Sequence, residues 1–180
     1  MHRYGNGGAA TCGGFAHVVA CSANLNPCGV DALEFSDRLR AVLSEAREEA
    51  AKLRHGHVGT EHLLIALLDD SSRDGAKPPS VAGIVLDGLG VERERMREVL
   101  ARTVLRGQLP TPEDQLSYTS RAKAVLELAR AEARVSKAGT VDTQHLLLGL
   151  VREERGIAAQ VLLDFGVTVD KARAELARLA

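Results

Sequence analysis

The sequence contains no tryptophan, and aromatic residues fill only 3% of its 180 positions. A core without large rings has to be built from Leu, Val, Ile and Ala, which suits packed helices better than sheets. Cysteine is scarce too: Cys12, Cys21 and Cys28 lie near the start and none follows. An odd count without a C-x-x-C pair argues against a disulfide scaffold and fits a reducing cytoplasm. Neither sign of charge dominates, since 23 Lys and Arg face 24 Asp and Glu. The basic surplus that phosphate contacts demand is missing, so nucleic acid is not an expected partner. No apolar run approaches the ~20 residues of a membrane span. No G-x-x-x-x-G-K-[ST] phosphate loop occurs, which excludes ATP hydrolysis by this chain. No Ser/His/Asp or Cys/His set stands out either, and the expectation is a protein without catalysis or cofactor.

What the chain does have is one unit written twice. Residues 1 to about 34 show no helical or strand period and read as a disordered or non-native tail. Phe35-Ser36-Asp37-Arg38 then begins a segment that recurs 83 residues later as Tyr118-Thr119-Ser120-Arg121. Ala41-Val42-Leu43 matches Ala124-Val125-Leu126, and His62-Leu63-Leu64 matches His145-Leu146-Leu147. Further on, Val85-Leu86 and Gly90-Val91 match Val161-Leu162 and Gly166-Val167 at an offset of 76. The difference is absorbed by a Gly-, Pro- and Ser-rich loop between Asp70 and Ser80. The expected layout is a tail over 1–34, a first repeat over 35–106, a linker over 107–117 and a second repeat over 118–180.

Each copy reads as four helices. Leu39, Val42, Leu43, Ala46, Ala50 and Leu53 fall on one face at helical spacing, with Ser36 placed to cap. Thr60 is expected to cap a second helix whose Leu63, Leu64, Leu67 and Leu68 are too apolar to face water. A third, short helix stops at Gly90, and a fourth runs from about Glu92 to Leu105. The second copy repeats these over 119–137, 143–152, 156–165 and 168–179. Units this small bury their faces poorly alone. The predicted fold is therefore all-α, with two four-helix repeats packed as one globular unit about a pseudo-twofold axis.

Gly59-Thr60-Glu61-His62-Leu63-Leu64 resembles the G-T-E-H-[IL]-L signature of the Clp N-terminal repeat. His145-Leu146-Leu147-Leu148-Gly149-Leu150-Val151-Arg152-Glu153, followed by Gly156-Ile157-Ala158-Ala159, is similar to a second signature of the same family. The resemblance covers about residues 35–180 and is closest to the double-repeat N-domains of ClpC-type unfoldases. It implies a docking role, with a Clp unfoldase, its adaptors or its substrate proteins as partners. Such a chain would act as a free-standing adaptor or regulator. The alternatives are the N-terminal part of a ClpC-type ATP-dependent unfoldase, or a binder of peptide-like small molecules in a hydrophobic groove between the repeats.

The resemblance also implies a ligand. In ClpC-type domains the Glu of each G-T-E-H motif receives the guanidinium of phosphoarginine. A carboxylate can accept two parallel N–H bonds from that group, and a helix start offers N–H groups to a phosphate. The first site would use Glu61 with Ser36 and Thr60. The second, with Gln144, Thr119 and Thr143, is weakened because an amide offers one acceptor oxygen and no charge. His62 and His145 are expected to pack structurally, with one ring nitrogen bonded to backbone. His55, His57 and His62 do not have metal-ligand spacing, and Glu92-Arg93-Glu94-Arg95 reads as a solvated helix face.

Overall fold

A computed structural model describes residues 33–70, 78–108 and 112–179, all within a unit spanning Asp31–Ala180. The expected tail, its three cysteines, most of the Gly- and Pro-rich loop and residues 109–111 lie outside the described residues.

The helices follow the apolar period. In the first copy they are α1 (Asp37–Lys52), α2 (Thr60–Asp70), α3 (Val81–Gly88) and α4 (Arg93–Thr103). In the second they are α5 (Ser120–Val135), α6 (Thr143–Arg152), α7 (Ile157–Asp164) and α8 (Val169–Leu179). Ser36 caps α1 by accepting from the Leu39 N–H, and Thr119 caps α5 by accepting from the Ala122 N–H, each at 3.1 Å. After α3 and α7 the chain turns at Gly90 (φ +72°) and Gly166 (φ +74°), a left-handed conformation that glycine adopts without strain. α2 starts one residue earlier than a Thr60 cap requires. The Gly59 carbonyl already accepts from the Leu63 N–H, so Thr60 is the first helical residue.

α2 and α6 form the centre: His62 through Leu68 and His145 through Val151 are buried without a break. They pack on each other and on α1 and α5 respectively. The third helices cross between copies, α3 packing on α6 and α7 on α2. The copies are thus interlocked rather than merely apposed.

Short strand pairs tie the same crossing. β1 (His57–Val58) runs parallel to β2 (Ser117–Tyr118), pairing His57 with Ser117 and Val58 with Tyr118. Phe35 makes the mirror contact with Val141. Even the ring contacts repeat at the 83-residue offset. The Arg47 guanidinium lies 5.0 Å from the Tyr118 ring centre, and the Arg130 guanidinium 4.7 Å from that of Phe35. Pairing already begins at Glu34, whose carbonyl accepts from the Val141 N–H at 2.8 Å, and Leu33 packs on the core. Contact between the copies thus reaches back to Glu34 and Leu33. No helix among the described residues is long and apolar enough to cross a membrane.

Candidate functional site

The starts of α2 and α6 carry the residues singled out from sequence, and both are built around a histidine. At the third position of each helix the imidazole reaches back to the residue before the helix. The Gly59 N–H donates to His62 Nδ1 at 2.8 Å, and the Asp142 N–H to His145 Nδ1 at 3.0 Å. The ring thus does what a glutamate does in a capping box. With Nδ1 accepting, the hydrogen-bond network assigns the proton to Nε2. His62 Nε2 then donates to His55 Nδ1 at 2.8 Å, and His55 Nε2 donates to the Leu105 carbonyl at 2.6 Å. His145 Nε2 meets Ser136 Oγ at 3.1 Å. Burial holds the His62 imidazole below its usual range, against the pull of Glu61, and neighbouring His55 adds to the lowering. Burial lowers His145 too, opposed by Asp142 and Glu132.

His55, Glu61 and His62 come close enough to suggest a cation site. The wiring argues otherwise: a metal on His62 Nε2 would move the proton to Nδ1, where the Gly59 N–H already points. The two rings are better described as a hydrogen-bonded relay.

Around these histidines the two copies differ in where the acid sits. In the first copy Glu61, at the second position of α2, folds back over Gly59, where a Cβ would overlap its carboxylate. The buried Thr60 hydroxyl lies 3.5 Å from Glu61 Oε2. In the second copy the acid has moved two residues, to Asp142 before the helix, leaving Gln144 opposite Glu61. Asp142 Oδ1 accepts from the Thr143 N–H at 2.7 Å and from the Ser36 hydroxyl at 2.8 Å. Thr143 Oγ1 and Gln144 Oε1 are buried without a partner.

The strand exchange reassigns two expected site residues. Ser36 does not stand beside Glu61. It bonds Asp142, and its N–H donates to the Val141 carbonyl, so it belongs to the second site. Thr119 takes the converse place, its N–H donating to the Val58 carbonyl next to Gly59-Thr60-Glu61. The reason is topological: each repeat's first residues pair with the other repeat's α2 or α6 entry.

Sequence reasoning also missed neighbours that the fold supplies. A Cβ at Gly156, the residue before α7, would lie 2.5 Å from Glu153 Oε2 and 2.6 Å from Thr60 Oγ1. Arg121 Nε is 3.9 Å from Glu153 Oε1. The 83-residue offset was the available signal, since it matches Arg121 to Arg38 and Glu153 to Asp70.

A second feature is a cleft of about 440 Å³ walled by α3, α5, α6 and α8, with Val81, Val135, Ala138, Leu148, Leu176 and Leu179 as its apolar lining. Glu132, accepting from Arg152 at 2.6 Å and Arg173 at 2.8 Å, and Gln144 supply its polar edge. The first copy differs at the matching positions. His55 stands where Ala138 does, and the chain after α4 is tied to the end of α1, the Gly107 N–H donating to the Leu53 carbonyl at 2.8 Å.

Two repeats with eight α-helices among the described residues, and a capping histidine in each copy, define a class of helical repeat domain. The Clp repeat (R) N-terminal domain profile matches residues 34–165 and 117–180, and the chain belongs to that family. It is 39% identical over 145 residues to the chaperone protein ClpB of Oceanobacillus iheyensis. It is equally 39% identical over 145 residues to the negative regulator of genetic competence ClpC/MecB of Bacillus subtilis. Each match takes in 81% of this chain but only 17% of the relative's length. Among solved structures, a complex of the ClpV N-domain with a VipB peptide superposes with a TM-score of 0.64 at 19% identity. That match covers 86% of this chain and 94% of the other.

Proposed function

We propose that this chain is a non-catalytic docking module of a cytoplasmic Clp chaperone–protease system, holding adaptor or substrate proteins that carry phosphoarginine. The observation that carries the reading is the first helix start. Glu61 presents a carboxylate at the N-terminus of α2, where a guanidinium can pair with the acid and a phosphoryl group can meet helix N–H groups. Thr60 and, from the other repeat, Thr119 flank it. In the second copy Asp142 and Ser36 satisfy each other, so Gln144 and Thr143 do not make an equal second site. The working division is repeats over 35–106 and 118–180 joined by a linker over 107–117.

Calorimetry with free phosphoarginine tests this. One site per chain is expected, and Glu61→Gln removes it, by roughly ten- to more than a hundredfold in affinity for one lost charge-assisted bond. No heat, two equal sites, or a site that survives Glu61→Gln overturns the assignment. Pull-down from the host tests the wider role, which fails if no Clp component, adaptor or protease substrate is recovered.

The cleft favours a second reading, in which peptide-like compounds or apolar peptide segments bind between α3 and the second repeat. The ClpV N-domain complex holds a VipB peptide, a precedent on the same fold. The chain spans less than a fifth of the length of the curated relatives it matches.

A further inference from the structure

The chain leaving α4 is held down mainly by hydrogen bonds. Val104 is buried, but Leu105 is 82% exposed and Arg106 beyond it faces water. Two bonds pin this strap to the turn between α1 and β1. The Gly107 N–H donates to the Leu53 carbonyl at 2.8 Å, and His55 Nε2 donates to the Leu105 carbonyl at 2.6 Å. The fit is flush: a Cβ on Gly107 would overlap the Arg54 carbonyl oxygen and lie 3.1 Å from His55 Cδ2. The second copy differs here. Ala138 stands at the position of His55, and His145 Nε2 ends on Ser136 within the same repeat.

The His55 anchor is the last link of a one-way chain. The Gly59 N–H donates to His62 Nδ1, His62 Nε2 to His55 Nδ1, and His55 Nε2 to the Leu105 carbonyl. Each neutral ring gives one proton and takes one, so every position is used. An added proton on His55 Nδ1 would face the His62 N–H across 2.8 Å. One on His62 Nδ1 would face the Gly59 N–H across the same distance. No arrangement with an extra proton keeps all three bonds. His62 is fully buried and His55 only half-buried, so His55 is the ring that takes the proton from solvent. It must then turn away from His62. Residues 104–107 lose their tie to α2 whether or not the Leu105 bond survives.

Glu61, Glu49 and His55 are the titratable groups that act on His62. Glu61 on α2 lies 3.7 Å from His62 Nδ1, and Glu49 on α1 is already paired with Lys52 at 2.8 Å. Both acids favour a charged imidazole, whereas burial and His55 oppose it. Exposed Arg54 and His57 neighbour His55 in the turn, and exposed Arg106 follows Leu105 on the strap.

We propose that His55 and His62 form a proton-operated latch: neutral, the pair holds residues 104–107 on the turn that leads into α2, and one added proton releases them. Imidazole is the side chain whose charge changes between pH 5 and 8, so the latch works in the range a cell can reach. The turn carries β1, which pairs with β2 of the other repeat. Release therefore loosens the lead-in to the first helix start and leaves the second fixed.

Hydrogen exchange on the full chain tests this, read at the Gly107 amide at pH 7.5 and pH 5 and corrected for intrinsic exchange. The wild type should lose at least tenfold in protection at the lower pH. His55→Ala should show the low protection at both. The amide of His55→Gln can accept from His62 and donate to Leu105 but takes no proton, so that variant should stay protected at both. Equal wild-type protection at the two pH values overturns the latch, as does wild-type behaviour in His55→Ala. A loss in His55→Gln as large as that of the wild type puts the titration elsewhere and overturns it too. Should His55→Ala not fold, nitrogen NMR of the wild-type His55 ring decides. It should show one acceptor and one donor at pH 7.5 and two donors at pH 5, and a ring still neutral at pH 5 overturns the proposal.

Discussion

A histidine at the third position of a helix satisfies a backbone donor only while its Nδ1 is free of a proton. His62 and His145 both do this, and burial lowers both. The unfolded chain, with imidazoles near the ordinary 6.5, takes up protons before the folded one does. Their contribution to stability is thus complete above pH 6.5 and is lost as pH falls through and below it. Urea unfolding between pH 7.5 and 5 should show stability declining on acidification, and a His62→Gln/His145→Gln variant should flatten that slope. An unchanged slope would place the titration elsewhere. The capping role was legible from the matched His positions, but the shift of the acid from Glu61 to Asp142 reads in sequence only as a loss at Gln144. Its consequence is that Gln144→Glu alone does not open the second site, because Asp142 still holds Ser36. Asp142→Gly with Gln144→Glu rewrites the helix start as Gly-Thr-Glu-His. The cap loss from Asp to Gly is only a few tenths of a kcal/mol. Calorimetry on that double variant should show a second phosphoarginine site, and Gln144→Glu alone should show one.

Elements were the most legible level, because helix periodicity is local and each apolar face was written twice. Pairing was not, since nothing in α3 says whether it will lie on α2 or α6. Spacing between elements is set by single small residues. A Cβ on Gly149 of α6 would lie 2.6 Å from the Val125 carbonyl oxygen and 3.1 Å from the Ala129 nitrogen of α5. The first copy has the buried Ala66 at the matching position, so α1 and α2 accommodate a methyl that α5 and α6 do not. Gly149→Ala should cost about 1–3 kcal/mol, the usual range for overpacking, despite alanine's better helix propensity. Denaturant unfolding would show the midpoint falling, whereas Gly139→Ala, with open space around it, should move it little.

At the scale of the whole molecule the crossing of elements decides what can fold. Composition, repeat and helix count pointed to two like units packed as one body, but not to which helix of one unit lies on which helix of the other. The contacts supply that: α7 lies on α2, α3 on α6, and β1 pairs with β2. Cutting the chain between the copies would strip α2 of α7 and α6 of α3. It would expose leucines that are fully buried, among them Leu64, Leu67, Leu147 and Leu150. Fragments of this length are marginal even with a complete core, because a chain near 60 residues buries only about 60% of its unfolded surface. The fragments 33–108 and 112–180 should therefore each lack a cooperative thermal transition by circular dichroism. Mixed in equal amounts, they should regain helical signal and one shared transition whose midpoint rises with concentration, as mass action requires of an assembly. A cooperative transition in fragment 33–108 alone would mean that α1 to α4 close their own core and that the crossed third helices are incidental.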